Sequence, residues 1–232
     1  MEFSTLNEKT LVLIPFFNEE EKVFDVISSI KKVFDNILCI NDGSTDSTFK
    51  ILKNISQIDI ISHPTNCGQG TAILTGIKFF LHKTDFEYLI TFDGDGQHSI
   101  NDAKLMLMHI QKHNLDAVFG SRFIEKDSYK NMPFKRIILL KLAIFFEKTF
   151  YRIKLSDAHN GLRVLRKSAC ERLEFLECSE MAHSTEIAFR ISNDSKLKIG
   201  EYQTNIKYLK NAKGSQIALN FLNIISELIQ RK

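Results

Sequence analysis

Short β-prone apolar runs alternate along the first half of the chain with longer segments whose apolar positions recur every three or four residues. Leu11-Val12-Leu13-Ile14, Ile37-Leu38-Cys39-Ile40, Ile58 to Ile61, Glu87 to Phe92 and Ala117-Val118-Phe119 are runs of the first kind. They lack the in–out alternation of a half-exposed strand, which predicts strands buried on both faces of a sheet. Between them lie Val23, Val26, Ile27 and Ile30, then Phe49, Ile51 and Leu52, then Ile73, Leu74, Ile77 and Leu81, then the stretch 101–111, all at helical spacing. Strand and helix in strict succession imply right-handed crossovers, and hence an α/β fold with a mostly parallel central sheet flanked by helices. The loops that follow the strands then share one edge of the sheet, where open α/β sheets bind ligands.

Past residue 120 the pattern changes. Phe134 to Lys148 predicts a helix apolar over most of its surface yet interrupted by charges. Such a helix fits a membrane interface, with a dimer contact or a core position as the alternative. Ile199 to Tyr208 predicts a further strand, and Ile217, Phe221, Ile224, Ile225 and Leu228 form the apolar stripe of a C-terminal amphipathic helix. The expected division is one domain over residues 1–210 and, over 211–232, this helix packed on the domain or on a membrane surface.

Composition narrows the class. At 232 residues, 44% hydrophobic and 25% charged, the chain has ample length for one domain with a sizeable core. No apolar run approaches the roughly 20 residues that span a bilayer, and Met1 to Thr10 lacks the pattern of a signal peptide, so a cytoplasmic location is expected. The four cysteines, Cys39, Cys67, Cys170 and Cys178, show no CxxC spacing and are expected as free thiols rather than a zinc site or disulfides. The net charge of +3 hides a split: residues 122–172 hold 13 Lys or Arg against 5 Asp or Glu, whereas residues 1–121 hold 10 against 16. A basic block of this kind suits a phosphorylated substrate or an anionic membrane surface, and no nucleic-acid motif accompanies it.

The chemistry concentrates at Phe92-Asp93-Gly94-Asp95-Gly96-Gln97-His98, where a buried strand runs into a glycine-rich turn. Residues two apart on a strand face the same way, so Asp93 and Asp95 can address one ion while Gly94 and Gly96 let the backbone come close. Hard oxygen ligands suit Mg2+ or Mn2+; an ordinary Asp-Gly turn is the simpler alternative. Asp42, at the end of the second strand, is placed to accept a hydrogen bond from a nucleobase imino group, whereas Asp46 fits an N-cap. Gly68 and Gly70 open a helix, and a tight turn explains them as well as phosphate contact does. The acidic trio Glu19-Glu20-Glu21 stands where a helix begins and its dipole favours negative charge.

Five blocks occur in an order and spacing that resembles family 2 glycosyltransferases of the GT-A fold: Pro15-x-x-Asn18-Glu19, Asn41-Asp42-Gly43-Ser44-x-Asp46, Gly68-x-Gly70-x-Ala72, Asp93-Gly94-Asp95-x-Gln97-His98 and Gly120-Ser121-Arg122. Asp157-Ala158-His159-Asn160-Gly161-Leu162-Arg163, and Glu186 after Met181-Ala182-His183, carry the likeness to the polyprenyl-phosphate, dolichyl-phosphate mannose synthase-like branch. That branch commonly reads Ser-Gly-Phe-Arg where this chain reads Asn160-Gly161-Leu162-Arg163. The resemblance implies that Pro15, Phe17, Glu19 and Asp42 hold the nucleotide, with Gly70 and Gly94 close to it. It implies Asp93, Asp95 and Gln97 at metal and diphosphate, and Arg122, Arg136 and Arg163 on phosphate charge. Lys210 and Lys213 would belong to a basic loop closing on the donor.

The implied reaction is metal-dependent, inverting transfer of a sugar from a UDP- or GDP-sugar to a polyprenyl phosphate by a peripheral protein at the cytoplasmic membrane face. If the acceptor is instead a hydroxyl of a lipid-linked or surface glycan, Asp157 or Glu186 is the candidate general base, because an alcohol must lose its proton during attack. A nucleotidyltransferase and a catalytically silent sugar-nucleotide binding module are the alternatives from other classes.

Overall fold

The computed structural model describes residues 2–125, 134–177 and 182–205. A seven-stranded sheet runs through them in the order β3-β2-β1-β4-β6-β5-β7. The strands are β1 (Thr10–Phe16), β2 (Ile37–Asn41), β3 (Asp59–Ser62), β4 (Tyr88–Thr91), β5 (Ala117–Ser121), β6 (Arg163–Arg166) and β7 (Ile199–Gln203). β1 to β4 pair in parallel, as do β5 and β7, and β6 alone runs antiparallel, between β4 and β5.

Helices cover both faces. α1 (Phe3–Glu8) precedes β1, and α2 (Val23–Ile30), α3 (Thr48–Lys53), α4 (Gln69–Lys83) and α5 (Ile100–Lys112) each fill a crossover. α6 (Phe134–Phe150), α7 (Lys167–Cys170) and α8 (His183–Ser192) follow. The strand side chains sort by parity, as the two-residue repeat of a strand requires. Val12, Ile14 and Phe16 join a core with Val23, Ile27, Met106 and Ile110, whereas Leu11 and Leu13 join a second core with Ile73, Ile77, Phe80 and Ile187. Both sets are buried, which explains why the sequence shows unbroken apolar runs. Each fully buried side chain of this size contributes roughly 1.5–3 kcal/mol of transfer free energy.

The predicted α/β architecture with a mostly parallel sheet is the one observed. Four elements lie outside the expectation, the four-residue α7 among them. α1 seals one end of the sheet through the fully buried Leu6, whose carbonyl accepts from Thr10 Oγ1 at 2.6 Å. α8 was not anticipated, and neither was β6, whose four residues begin and end in arginine and so give almost no apolar signal. The described part of the last strand is Ile199–Gln203, and residues 206–208 of the expected span lie outside the described residues, as does all of the expected helix at 211–232. None of the described helices is long and apolar enough to cross a membrane.

Because β1, β2 and β4 are parallel, their following loops leave one edge together. β6, being antiparallel, delivers its amino end to that same edge, so the 157–162 segment ahead of it meets the 92–98 turn. Thr91 Oγ1 donates to the Gly161 carbonyl at 2.7 Å across this junction. Asp46 ties two of the loops by accepting from Thr48 N at 2.9 Å and Glu20 N at 3.1 Å.

Helix α4 lies so close to β1 that Gly76 leaves no room for a side chain, and a Cβ there would overlap the fully buried Leu13. Gly76→Val is therefore expected to lower stability by about 1–3 kcal/mol, the usual cost of overpacking, read as a lower midpoint in urea unfolding.

Candidate functional site

Along the carboxyl edge runs a cleft of about 460 Å³, lined by residues from every loop that converges there. At one end lies the turn after β4. Asp93 is half-buried, its Oδ2 2.9 Å from His98 Nε2 and its Oδ1 accepting from Gln69 Nε2 at 3.0 Å. Burial pushes its carboxyl up, but the His98 hydrogen bond and the nearby positive charge of His98 and Arg163 outweigh it and hold the group below the usual range. Asp95 moves the other way: burial and the charge of Asp93 raise it against the bond from Gln97 N. Gly94 packs against the Phe16 ring, and Gly161 sits so tightly on the Asp93 carboxylate that a methyl group at either position would collide.

This donor set fits a hard divalent cation. Asp95 carries a charge that the protein itself leaves under-compensated, and Asp93 is its immediate neighbour. Gln97 donates to Asp95 Oδ2 through Nε2 at 2.6 Å, so its amide oxygen is the atom that would turn to a metal. Two carboxylates and an amide oxygen suit Mg2+ or Mn2+. A second group of potential ligand atoms, on Asp42, His63 and Cys67, lies within 4.8 Å of one another. There the carboxylate is taken up by hydrogen bonds rather than left bare.

The other end of the cleft is formed by Asp42. Its Oδ1 accepts from His63 Nδ1 at 2.7 Å and Cys67 N at 2.9 Å, and its Oδ2 accepts from Gly68 N at 2.9 Å. Gly68 has φ of 91° and Gly43 a φ of 65°, conformations that favour glycine, and Gly43 also abuts the Thr65–Asn66 backbone. Asn18, likewise at positive φ, accepts from Thr45 N at 2.8 Å and locks the first loop to the second.

Of the residues named from the sequence, Pro15, Phe17, Glu19, Asp42, Asp93, Gly94, Asp95, Gln97 and Arg122 all line this cleft. Gly70 is buried as the second residue of α4, directly after the lip that Gly68 and Gln69 form. Arg163 lies beneath the cleft, fully buried; burial lowers its pKa to about 10 against the raising effect of Asp93 and Asp157. Among the described residues its Nε and Nη1 find no hydrogen-bond partner. The Arg136 side chain and Lys210 and Lys213 lie outside the described residues.

The two candidate bases are engaged elsewhere. Asp157 is 1% exposed and accepts from Arg122 Nε at 2.6 Å, Nη2 at 2.7 Å and backbone N at 3.1 Å. Glu186 accepts from Glu177 N at 3.1 Å and Arg190 Nε at 2.7 Å and does not line the cleft. Sequence reasoning passed over Gln69 and Asn66, which line the cleft from the start of α4 and the loop before it. Their one signal was position, immediately beside the Gly68 turn. His159 also lines the cleft, its Nε2 3.2 Å from the buried Glu147 carboxylate of α6.

Comparison with known proteins agrees with this geometry. The model of the family described as "Glycosyl transferase family 2" matches residues 11–174. A UDP-N-acetylglucosamine–dolichyl-phosphate N-acetylglucosaminyltransferase of Methanococcus voltae is 29% identical over 232 residues, covering 90% of this chain and 91% of its own. The polyprenol monophosphomannose synthase of Mycolicibacterium smegmatis is 25% identical over 174 residues, covering 72% of this chain and 65% of its own. Among solved structures, glucosyl-3-phosphoglycerate synthase of Mycobacterium tuberculosis with Mn2+, UDP-glucose and phosphoglyceric acid superposes with a TM-score of 0.72. That match covers 100% of this chain and 84% of the other at 14% identity, a likeness of fold.

The Arg122–Asp157 pair is buried on both sides, so removing the carboxylate takes a desolvated two-pronged hydrogen-bonding partner from the guanidinium. Asp157→Ala is expected to cost about 3–5 kcal/mol in urea unfolding, and the double replacement Arg122→Met with Asp157→Leu to recover most of it. A loss below about 0.5 kcal/mol in the single variant, the size of an ordinary surface change, would show that the pair does not hold the structure.

Proposed function

The chain belongs to glycosyl transferase family 2 and has the GT-A fold, and from that premise we propose that it moves a sugar from a nucleoside-diphosphate donor to a polyprenyl phosphate. The observation that carries this reading is the placement of Asp42 and the Asp93–Asp95 pair at the two ends of one cleft, an arrangement that accommodates a base at one end and a diphosphate at the other. Names of relatives support it, since two are transferases to dolichyl or polyprenol phosphate.

Pro15, Phe17 and Glu19 flank the nucleoside, with Asp42 beneath it. Asp95, backed by Asp93 and Gln97, would hold Mg2+ or Mn2+, which when bound neutralises charge growing on the leaving diphosphate. Arg122, fixed by Asp157, adds a guanidinium already oriented at the cleft wall, so little reorganisation is needed as that charge appears. Attack from the face opposite the leaving group inverts the anomeric carbon. Asp157 and Glu186 being committed to other partners favours an acceptor that is already ionised, as a phosphate monoester is near neutral pH, over a hydroxyl that needs a base.

α6 supports a location at the membrane surface. Ile138, Leu142, Phe145 and Phe150 are between 45% and 68% exposed, an outward apolar stripe in the basic part of the chain. Such a surface seats in an anionic lipid interface, with the protein peripheral at the cytoplasmic face.

Incubation of the protein with radiolabelled UDP- and GDP-sugars, detergent-solubilised polyprenyl phosphate and Mn2+ or Mg2+ is expected to put label into lipid, and chelator to abolish it. Asp95→Asn is expected to abolish transfer while raising the melting temperature, because it removes a charge that burial and Asp93 both disfavour. Full transfer by Asp95→Asn would refute the site assignment. Label entering a glycan hydroxyl but never lipid phosphate would refute the acceptor.

A further inference from the structure

Behind the Asp42 end of the cleft lies a cluster that the transfer reaction does not use. Asp42, His63 and Cys67 bring a carboxylate oxygen, a ring nitrogen and a sulfur within 4.8 Å of one another, the one such trio among the described residues. Backbone bonds pin the set to the end of β2. His63 N donates to the Asn41 carbonyl at 2.9 Å, and Cys67 N donates to Asp42 Oδ1 at 2.9 Å.

Hydrogen bonding also fixes how the imidazole is used. Thr75 Oγ1, on α4, gives its one hydrogen to the Thr71 carbonyl at 3.0 Å, so toward His63 Nε2, 2.9 Å away, it can only accept. Nε2 therefore carries a hydrogen, and Nδ1 is the nitrogen left to face Asp42 Oδ1 at 2.7 Å. In the neutral ring Nδ1 presents a lone pair, and two lone pairs at that distance repel. A positive centre belongs between them, either a second ring proton or a metal cation. Metal-binding histidines share this arrangement, with the far N–H anchored by a partner that sets the tautomer.

The third donor favours the metal. Cys67 is half-buried, and its thiol makes only a long contact, 3.4 Å, to the Thr65 carbonyl. Its neighbours Thr65 and Asn66 are exposed, so an ion reaches the sulfur from the surface without passing through the cleft.

We propose that Asp42, His63 and Cys67 form a site for a thiophilic divalent cation of the zinc class. On binding, Cys67 releases its thiol proton to solvent, as does Nδ1 when it is protonated. Three bonds form to the ion, from Sγ, Nδ1 and Oδ1, and water takes the fourth position. Bonds of about 2.0 Å to nitrogen and oxygen put those atoms about 3.3 Å apart in a tetrahedral shell, so the Nδ1–Oδ1 gap opens by roughly half an ångström. The ion thus replaces the His63–Asp42 hydrogen bond, while Cys67 N keeps its own bond to Oδ1.

Softness separates this site from the metal turn. Asp95 and Gln97 offer oxygen alone, which suits Mg2+ or Mn2+, whereas sulfur and imidazole favour Zn2+ or Co2+. Asp42 also lines the cleft, so an ion drawing on its Oδ1 weakens the carboxylate as an acceptor toward whatever occupies that end. The site stands apart from the donor reading given above, but its consequence rests on that reading: Zn2+ held here opposes nucleotide binding.

Co2+ titration of the metal-free full chain tests the site, because cobalt on a thiolate gives a charge-transfer band in the near ultraviolet and cobalt on oxygens alone does not. The band is expected to form, to disappear with Zn2+ and to persist in an about hundredfold excess of Mg2+. Cys67→Ser is expected to abolish it. Thr75→Val, which frees the far side of the ring, is expected to weaken Co2+ binding about tenfold. No band in the folded protein, or a band that survives Cys67→Ser, would overturn the site. Calorimetric titration with UDP and GDP in Mn2+ reads the consequence: Zn2+ is expected to weaken nucleotide binding at least about fivefold in the unaltered protein and not in Cys67→Ser. An equal effect in both proteins would overturn the coupling to the cleft. Binding of no nucleotide by protein that shows the band would overturn the donor reading and leave the metal site standing.

Discussion

Two like charges brought side by side are the constraint to which the rest of the site answers. Asp93 and Asp95 leave the end of a strand buried on both faces, where solvent cannot screen them well, and neighbouring carboxylates in such a place oppose each other's ionisation. The chain resolves this asymmetrically. Asp93 receives His98, Gln69 and the field of Arg163 and is held ionised; Asp95 receives the amide groups of Gln97 and the fields of His98 and Lys22, which do not offset burial and the charge of Asp93. One acid is therefore compensated by the protein, and the other carries a charge whose relief must come from outside. Close packing enforces the arrangement, since Gly94 lies against Phe16 and Gly161 against Asp93 itself, so the carboxylates cannot relax apart into free space.

That packing depends on the one strand that breaks the parallel rule. A parallel β6 would have carried residues 157–162 to the opposite edge of the sheet. Run antiparallel between β4 and β5, it brings Gly161 onto Asp93 and Asn160 into the cleft, and sets Arg163 beneath both. Burying a guanidinium is costly, and the cost is tolerable here because two carboxylates, Asp93 and Asp157, act on it at once. The positive charge under the floor is thus a consequence of topology as much as of the residue chosen.

The architecture of the first half was legible in the sequence because a strand covered on both faces writes itself as an unbroken apolar run, and Leu11 to Ile14 or Ile37 to Ile40 admit little else. The ends of those strands then located the cleft, since the loops after parallel strands must share an edge. What escaped notice was encoded in contacts between distant segments. β6 has an arginine at each end and only two apolar residues between, so periodicity is silent there. Asp157 looked like a base because the chain does not announce that Arg122, 35 positions earlier, closes on it. His63 gave no signal at all, because its bond to Asp42 joins residues 21 positions apart.

The setting of α6 shows how one polar group decides what apolar residues leave open. Leu140 and Ala143 face inward, while Ile138, Leu142 and Phe145 face outward and are quite as apolar. Burial of hydrocarbon alone would scarcely distinguish one rotation of this helix from another. Glu147 does distinguish them: a carboxylate 4% exposed is tolerable only where a partner awaits it, and one does, Thr185 Oγ1 donating at 2.7 Å, while His159 Nε2 lies 3.2 Å away outside hydrogen-bonding geometry. Turned by a third of a revolution, the helix would carry Glu147 away from Thr185 Oγ1. The charged residue that looks out of place on an apolar helix therefore fixes which face is presented outward, and it does so through a hydroxyl of α8.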